Sequence, residues 1–132
     1  MAIRRGQVWW WKCPAHAREH LQEGVRPVVI VSNDACNAAS PVITVVPLTS
    51  RVKNPYPQQA CVILNDRICV ALTDQITSIP VSELDTYMCT LREFQLDQVD
   101  TAIAVQLGFV DVKDRPYSVF ERRALRTEDG TR

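Results

Sequence analysis

The sequence predicts an α+β domain in which a small, coiled antiparallel sheet closes partly into an SH3-like barrel and a C-terminal helix packs on it. Three observations lead to this prediction. Several short β-branched apolar segments follow one another, two long polar loops interrupt them, and one segment with helical periodicity comes last. The chain has 132 residues, which is the usual size of one domain.

The first half of the chain contains three predicted strands. They cover residues 6–13, which include Trp9-Trp10-Trp11, residues 26–33 and residues 42–50. Residues 13–24 are polar and are interpreted as a long loop, and residues 34–41 as a turn. Pro47 lies near the end of the third strand and has no N–H to donate, so it indicates a sheet edge or a bulge there.

A second long loop, basic and rich in proline, covers residues 51–58. Residues 59–64 and 67–72 are apolar and are separated only by Asn65-Asp66, which predicts a β-hairpin with a tight turn. An irregular connection with a short helical turn and then a short strand follow, over residues 73–84 and 86–90.

The strongest local signal is helical. Thr90 and Glu93 have the spacing of a capping box, and Gly108 can supply the residue after the helix end. Between them the apolar residues recur at three- and four-residue steps, at Leu96, Val99, Ile103 and Leu107. The helix is therefore predicted over residues 91–107.

The net charge is zero, which argues against a general polyanion binder, but the charges are unevenly distributed. Residues 1–67 hold eight Lys or Arg and four Asp or Glu, whereas residues 68–110 hold one Arg and six acids. A basic half beside an acidic half indicates a local anion site on a neutral body. The alternative is that the charges are scattered and simply solvated.

The compartment is predicted from the N-terminus and the cysteines. Residues 1–13 lack the apolar region and the cleavage site of a signal peptide, and no apolar run has the length of a membrane helix. The five cysteines are odd in number and show no C-x-x-C spacing, so most are interpreted as buried structural thiols. We expect a soluble, cytoplasmic protein.

Two motifs have weak functional interpretations. His16 to His20 match the H-x-x-E-H pattern of a zinc peptidase class, but Pro14 and Gly24 leave too short a segment for the long helix that this chemistry requires. A polar loop turn is the favoured interpretation. In the tryptophan triplet, alternation sends Trp10 to one face and its two neighbours to the other, so the candidates are core, an interface anchor or a platform for a nucleobase.

A third group of residues suits a phosphodiester. Arg26 begins the second strand, and Thr49 and Ser50 end the third. If these strands pair or close in a barrel, the polar groups gather at one rim, with Arg51 and Lys53 nearby. A guanidinium fork binds two phosphate oxygens and keeps its charge at any physiological pH. From position alone, an ion pair between Arg26 and a neighbouring carboxylate is the favoured alternative.

Four segments in order resemble the MazF/PemK (Kid) family of toxin endoribonucleases. They are RRGQVWW, GVRPVVIVSND, VITVVPLTS and VALTDQITSI, and the similarity extends over residues 4–108. The opening segment is weak alone, but the G-x-R-P strand with a downstream L-T-S and D-Q-[IV] is specific as a set. Residues 1–110 are therefore interpreted as a toxin domain, and residues 111–132 as a charged C-terminal extension that forms a tail or a short docking helix.

The resemblance implies a homodimer of CcdB/MazF-type subunits that cuts single-stranded RNA, such as mRNA, rRNA or tRNA, without a cofactor or metal. The 2′-hydroxyl would act as the nucleophile and leave 2′,3′-cyclic phosphate and 5′-hydroxyl ends. A MazE/PemI-like antitoxin would be the partner, and operator DNA would be bound only by the complex with that antitoxin. No membrane is implied.

The resemblance also assigns residues. It implies catalytic roles for Arg26, Thr49, Asp74 and His20, with Asp74 or His20 as the base. Contacts to RNA would come from Ser50, Arg51, Lys53, Gln75 and Thr77. Two positions depart from the family pattern, because Leu21 stands where a glutamate is frequent and Thr77 where a Lys or Arg is frequent. These changes affect sequence preference and substrate binding more than the core chemistry.

Two other functions remain open at this point. One is a non-enzymatic toxin of the CcdB group that binds a protein target such as gyrase. The other is a decayed nucleic-acid-binding module. A phosphate-binding group of residues favours the nuclease over the first alternative, and RNA cleavage would separate it from the second.

Overall fold

The structure is a computed structural model that describes residues 2–14, 25–51 and 54–129, with side chains up to Ala124. In chain order its main elements are β1 (Gln7–Lys12), β2 (Val25–Ile30), α1 (Asp34–Ala39), β3 (Val42–Thr49), β4 (Ala60–Leu64), β5 (Arg67–Ala71), β6 (Thr77–Pro80), β7 (Leu84–Thr90), α2 (Glu93–Gln106) and α3 (Val119–Asp129). The chain divides into two compact units. The first unit is Met1–Leu48 with Ile76–Leu91, and the second unit is Thr49–Gln75 with Arg92–Arg132.

Among the described residues, the first unit contains an antiparallel sheet with the strand order β6-β3-β2-β1-β7. Trp11 of β1 lies opposite Arg26 of β2, and Val28 of β2 lies opposite Pro47 of β3. Strand β6 pairs with β3 only from Val42 to Val45, so Pro47 lies outside that ladder.

The core of the first unit is built on alternating strand residues. Trp11 is 2% exposed and packs with the buried residues Val28, Ile30, Ile43, Val45 and Ile79. Its indole N–H donates to Glu83 Oε1 at 2.9 Å, so its polar atom is satisfied. Trp9 packs against the same cluster and meets Tyr87 edge to face, whereas Trp10 is exposed. The predicted alternation of the three tryptophans is confirmed.

Residues 34–41 do not form the predicted turn, because Asp34–Ala39 is a helix. Asn33 caps it by accepting a hydrogen bond from the Cys36 amide at 2.8 Å. The Arg5 amide donates to the Asp34 carboxylate at 2.7 Å, and this hydrogen bond lowers the pKa of Asp34. A helix of six residues is too short to show apolar periodicity, so only its cap could have predicted it.

The connection after β5 also differs from its prediction. Residues 73–84 contain the single 3₁₀ turns Thr73–Gln75 and Val81–Glu83, but the strand β6 lies between them. That strand has only four residues and is recognisable chiefly through its pairing with β3. Pairing with a distant strand is not a local sequence signal.

The hairpin of the second unit has the predicted form. Strands β4 and β5 pair from Ala60 with Ala71 to Leu64 with Arg67. The turn residues Asn65 and Asp66 have φ angles of 51° and 63°. Positive φ at both positions defines a type I′ turn, whose twist matches that of the strands, and Asn and Asp tolerate this conformation better than other non-glycine residues.

The predicted capping box of α2 is wrong. Arg92 is the N-cap residue, and no side chain caps the helix there. Thr90 is the last residue of β7, and its hydroxyl hydrogen-bonds the Tyr87 hydroxyl at 2.8 Å. A threonine that still belongs to a strand cannot serve as the helix cap, although its spacing to Glu93 fits the pattern.

The buried face of α2 is also only partly the predicted one. Val99 is fully buried, but Leu107 is 54% exposed, and the glutamines Gln95 and Gln98 are buried instead. Gln95 Oε1 accepts from the Ile63 amide at 2.8 Å, and Gln98 Nε2 donates to the Cys61 carbonyl at 2.7 Å. The glutamines lie inward because the edge of β4 needs hydrogen-bond partners that leucine cannot provide.

The C-terminal helix α3 packs on the hairpin of the second unit. Its residues Phe120 and Ala124 contact a cluster formed by Cys61, Val70 and Leu72. Arg115, which precedes α3, and Glu121, in its first turn, form a buried ion pair with Nη2 and Oε2 3.0 Å apart. Residues 111–124 are therefore ordered by contacts within this unit.

Gly108 ends α2 in the predicted way. Its φ is +85°, its amide donates to the Val105 carbonyl, and the Phe109 amide donates to the Ala104 carbonyl, which is the Schellman pattern. A Cβ at this position would meet nothing within 4 Å, so only the backbone conformation opposes a side chain.

We expect Gly108→Ala to lower the free energy of unfolding by about 1 kcal/mol, because alanine is strained at positive φ. Urea unfolding measures this, and Gly108→Asn is the matched control with a smaller expected loss. Equal stability of the alanine variant and the wild type would contradict the argument.

Three of the five cysteines are buried, as predicted for structural thiols. All five cysteines are thiols, and Cys13, Cys61 and Cys69 are buried. Burial raises the pKa of Cys69 and of Cys89, so these thiols are poor nucleophiles at neutral pH. In the part of the chain that the structure describes, no helix combines the length and apolar character needed to cross a membrane.

Candidate functional site

Arg26 lies in the first unit, one residue after the start of β2, and is 6% exposed. Strand alternation places it on the same face of β2 as Val28 and Ile30. The guanidinium therefore stands at the end of an apolar row, where a cation of this kind keeps its charge at any physiological pH. Such a setting strengthens its attraction for an anion, because little water screens it.

Thr49 lies in the second unit as the last residue of β3 and is buried. Its Oγ1 accepts a hydrogen bond from the Arg51 amide at 3.2 Å. A threonine hydroxyl has one proton to donate as well as lone pairs to accept with. The amide uses one acceptor position, and the hydroxyl proton is left to donate elsewhere. Ser50 and Arg51 are exposed beside it.

Asp74 is exposed at the middle of the 3₁₀ turn Thr73–Gln75 in the second unit. The turn is anchored by Thr73, which is fully buried and donates its hydroxyl to the Gln58 carbonyl. The Asp74 carboxylate accepts at Oδ1 from Gln59 Nε2 at 2.9 Å. A carboxylate that is both exposed and held in one orientation can accept a proton from a bound substrate.

Gln59 connects this turn to the loop before β4 and is only 5% exposed. Its side-chain Oε1 accepts from the Tyr56 amide at 3.0 Å, and its own amide donates to the Tyr56 carbonyl at 2.8 Å. The remaining side-chain group, Nε2, is the donor to Asp74. Gln59 was not predicted from the sequence, because its partner Asp74 is 15 residues away and no local pattern links them.

A buried ion pair contacts the main-chain carbonyl of Gln59. Arg115 Nη2 donates to the Gln59 carbonyl at 3.1 Å and to Glu121 Oε2 at 3.0 Å, and Nη1 lies 3.3 Å from Glu121 Oε1. The guanidinium also stacks on the Tyr117 ring, 4.0 Å from its centroid. Arg115 and Glu121 were not predicted either, since burial of a charged pair leaves no mark in the sequence.

A cleft of about 390 Å³ lies beside these groups in the second unit. Its walls include Tyr56, Gln59, Tyr117 and Glu121. Tyr56 is 64% exposed, so one aromatic ring of the wall is accessible to solvent.

The other predicted site residues are distributed as follows. Gln75 is half-buried in the same turn as Asp74, and its amide donates to the Leu72 carbonyl at 2.8 Å. Thr77 lies in the first unit as the first residue of β6, half-buried and opposite Val45. His20 and Lys53 lie outside the described residues, as do His16 and Leu21.

Within the second unit, the structure brings Thr49 together with Arg51, and Asp74 together with Gln59. Across residues 2–14, 25–51 and 54–129, no group of three or more His, Cys, Asp or Glu side chains is arranged to hold a metal ion. The chemistry offered by the described residues is that of a fixed cation, a hydroxyl donor and an oriented carboxylate.

Comparison with known proteins identifies relatives of this chain. Residues 4–107 match the family model described as PemK-like, MazF-like toxin of type II toxin-antitoxin system. A curated relative, Endoribonuclease MazF9 of Mycobacterium tuberculosis (strain ATCC 25618 / H37Rv), is 35% identical over 117 residues, which cover 80% of this chain and 96% of the relative.

Solved structures are similar over most of the chain. One is an endoribonuclease in complex with its cognate antitoxin from Mycobacterial species, which is 25% identical, with 89% of this chain and 100% of that chain covered and a TM-score of 0.68. Another is MazF from Deinococcus radiodurans, which is 24% identical, with 82% and 98% covered and a TM-score of 0.69. This likeness confirms the fold class that the sequence predicts.

Proposed function

Because this chain belongs to the PemK-like, MazF-like family of toxins of type II toxin–antitoxin systems, we propose that it cuts single-stranded RNA at a short recognised sequence without a metal. The family resemblance predicted from the sequence is confirmed, and with it the assignment as a toxin endoribonuclease. The observation that carries the proposal is the match over residues 4–107, which contains Arg26, Thr49 and Asp74.

The proposed reaction is an in-line attack of the ribose 2′-hydroxyl on the adjacent phosphorus. The new bond joins the 2′-oxygen to phosphorus, and the bond to the 5′-oxygen breaks, which leaves a 2′,3′-cyclic phosphate and a 5′-hydroxyl. The attack needs a base for the 2′-proton, stabilisation of the charge on the phosphorane oxygens, and a proton for the leaving oxygen. No redox or metal chemistry is required by this balance.

Two residues are proposed to act on the phosphate. Arg26 stabilises the phosphorane oxygens, because its charge is permanent and its buried position limits screening by water. Thr49 donates its hydroxyl proton to a non-bridging oxygen, while its Oγ1 accepts from the Arg51 amide. Each of these contacts would restrain the phosphate for in-line attack.

Asp74 is proposed as the base. Its carboxylate is exposed and accepts a hydrogen bond from Gln59, so it is accessible to the 2′-proton of a bound RNA. His20 is the other candidate, and a comparison of Asp74→Asn with His20→Gln separates the two. We propose RNA contacts for Ser50, Arg51, Lys53, Gln75 and Thr77.

The proposal includes partners as well as chemistry. A related endoribonuclease has been solved in complex with its cognate antitoxin, and this supports a MazE/PemI-like antitoxin as the partner of the present chain. We propose a homodimer that acts in the cytoplasm and binds operator DNA only together with that antitoxin.

The test is RNA cleavage by the purified protein in EDTA. We expect fragments that carry 2′,3′-cyclic phosphate and 5′-hydroxyl ends, cut at one short sequence in a long single-stranded substrate. Polynucleotide kinase should label the new 5′ ends without prior phosphatase treatment, and mass spectrometry should identify the cyclic phosphate.

Each other outcome contradicts the proposal in a recognisable way. Cleavage that stops in EDTA and leaves 5′-phosphate ends would indicate a metal nuclease. Binding of RNA without cleavage would indicate a decayed nucleic-acid-binding module, and neither binding nor cleavage would indicate a toxin with a protein target.

A further inference from the structure

We propose that the C-terminal segment after residue 107 positions the catalytic carboxylate: the Arg115–Glu121 pair holds Gln59, and Gln59 holds Asp74 in the orientation that accepts the 2′-proton. This inference rests on the proposed function, because it assigns a role within the same reaction. The segment lies beyond the residues matched by the family model, which end at residue 107. Arg115, Glu121 and Gln59 are thus further residues of the site, acting through Asp74.

The first step is the contact between Gln59 and Asp74. Asp74 is exposed on a short turn, where an aspartate side chain would otherwise sample several rotamers. Gln59 Nε2 donates to one of its carboxylate oxygens at 2.9 Å and is itself buried. Because the Gln59 side-chain amide is buried, its position is fixed, and its hydrogen bond fixes the orientation of the Asp74 carboxylate.

Two hydrogen bonds fix Gln59 itself. Its side-chain oxygen accepts from the Tyr56 amide, and its main-chain carbonyl accepts from Arg115 Nη2 at 3.1 Å. The first bond orients the amide group, and the second holds the backbone from which the side chain extends. Removing Arg115 therefore frees the backbone of Gln59, whose side chain donates to Asp74.

The Arg115–Glu121 ion pair bonds two backbone groups at the start of β4. Arg115 binds the carbonyl of Gln59, and Glu121 Oε2 accepts from the Cys61 amide at 3.1 Å. These two backbone groups flank Ala60, the first residue of β4. A residue of a neighbouring parallel strand would make the same pair of bonds. The ion pair thus fixes the start of β4 as an additional strand would.

The use of charged residues at this place supports a positioning role. A buried ion pair stabilises a fold no better than a well-packed apolar pair of the same size, because both charges lose their hydration. An apolar pair could not bond the Gln59 carbonyl or the Cys61 amide. The charged residues are therefore present because they bond this backbone. Arg115 bonds the Gln59 carbonyl, and the Gln59 side chain bonds Asp74.

The experiment measures kcat and KM for RNA cleavage by the full chain carrying Gln59→Leu, or Arg115→Met combined with Glu121→Gln. Leucine at position 59 is uncharged and cannot donate to Asp74. Glutamine at position 121 still accepts from the Cys61 amide, and the neutral pair avoids an uncompensated charge. We expect kcat to fall about 10- to 100-fold in each case with KM nearly unchanged, because binding persists while the base is misplaced.

Gln95→Leu is the matched control. Gln95 is buried to the same degree as Gln59 and bonds the same strand, through the Ile63 amide. It makes no hydrogen bond to the Asp74 turn, so its replacement lowers stability without removing a contact to Asp74. We expect this variant to lose thermal stability and to keep the wild-type kcat at a temperature at which it is folded. Circular dichroism confirms folding of every variant, and Gln59→Leu is the test variant if the double variant does not fold.

Coupling to Asp74 provides the decisive readout. Gln59→Leu combined with Asp74→Asn should be no slower than Asp74→Asn alone, because both changes remove the same contribution. Wild-type kcat in Gln59→Leu and in the Arg115→Met, Glu121→Gln double variant, with Asp74→Asn inactive, would overturn the positioning role and leave the proposed function intact. Full activity of Asp74→Asn would overturn it as well, and a wild-type protein that does not cut RNA would show instead that the proposed function has failed.

Discussion

Arg26→Ala and Thr49→Val are each expected to lower the rate of RNA cleavage by about 100- to 1,000-fold, which is the typical effect of removing one preorganised donor to a developing negative charge. Arg26→Ala removes the permanent cation. Thr49→Val keeps the shape of the side chain and removes only the hydroxyl, which accepts from the Arg51 amide and is proposed to donate to the phosphate. Both variants are expected to fold.

Conservative replacements sharpen this prediction. Thr49→Ser keeps the hydroxyl and should retain most of the activity, whereas Arg26→Lys keeps the charge but loses the planar fork and should recover only part of it. Single-turnover cleavage of a short RNA measures the chemical step, and Arg67→Ala, at an exposed position in the hairpin, serves as the unaffected control. A Thr49→Val variant that cuts RNA as fast as Thr49→Ser would remove Thr49 from the mechanism.

Arg115→Met alone is expected to lower the free energy of unfolding by about 3–5 kcal/mol, since it leaves the buried Glu121 carboxylate without its cation. Combination with Glu121→Gln should recover most of the loss, because the double variant carries no buried charge. Urea unfolding followed by circular dichroism measures both, with Lys113→Met as the exposed control. A loss below about 1 kcal/mol for Arg115→Met would mean that the pair behaves as a surface ion pair, despite its burial.

The parts of the fold that were predicted correctly have local causes. The strands follow from β-branched alternation, the hairpin from Asn65-Asp66, and the end of α2 from Gly108. The errors arise where distant contacts overrule a local pattern. Thr90 has the spacing of a cap but is kept in β7 by strand pairing, and Gln95 turns inward because the edge of β4 requires a partner.

The same distinction applies to the site. Arg26, Thr49 and Asp74 were predicted through a family resemblance, which carries information that no single sequence holds. Gln59 and Arg115 could not be identified in this way. Arg115 meets the Gln59 carbonyl across 56 residues of sequence and lies outside the matched region, so only the folded chain reveals it.

The covered edge of β4 limits how other chains can bind this protein. The amide and carbonyl of Cys61 and the amide of Ile63 are occupied by Glu121, Gln98 and Gln95. An incoming peptide that extends a sheet does so through such backbone groups, and here it would have to displace buried side chains first. Recruitment of an antitoxin segment by strand addition is therefore disfavoured at β4, and self-association into fibrils through this strand is disfavoured for the same reason.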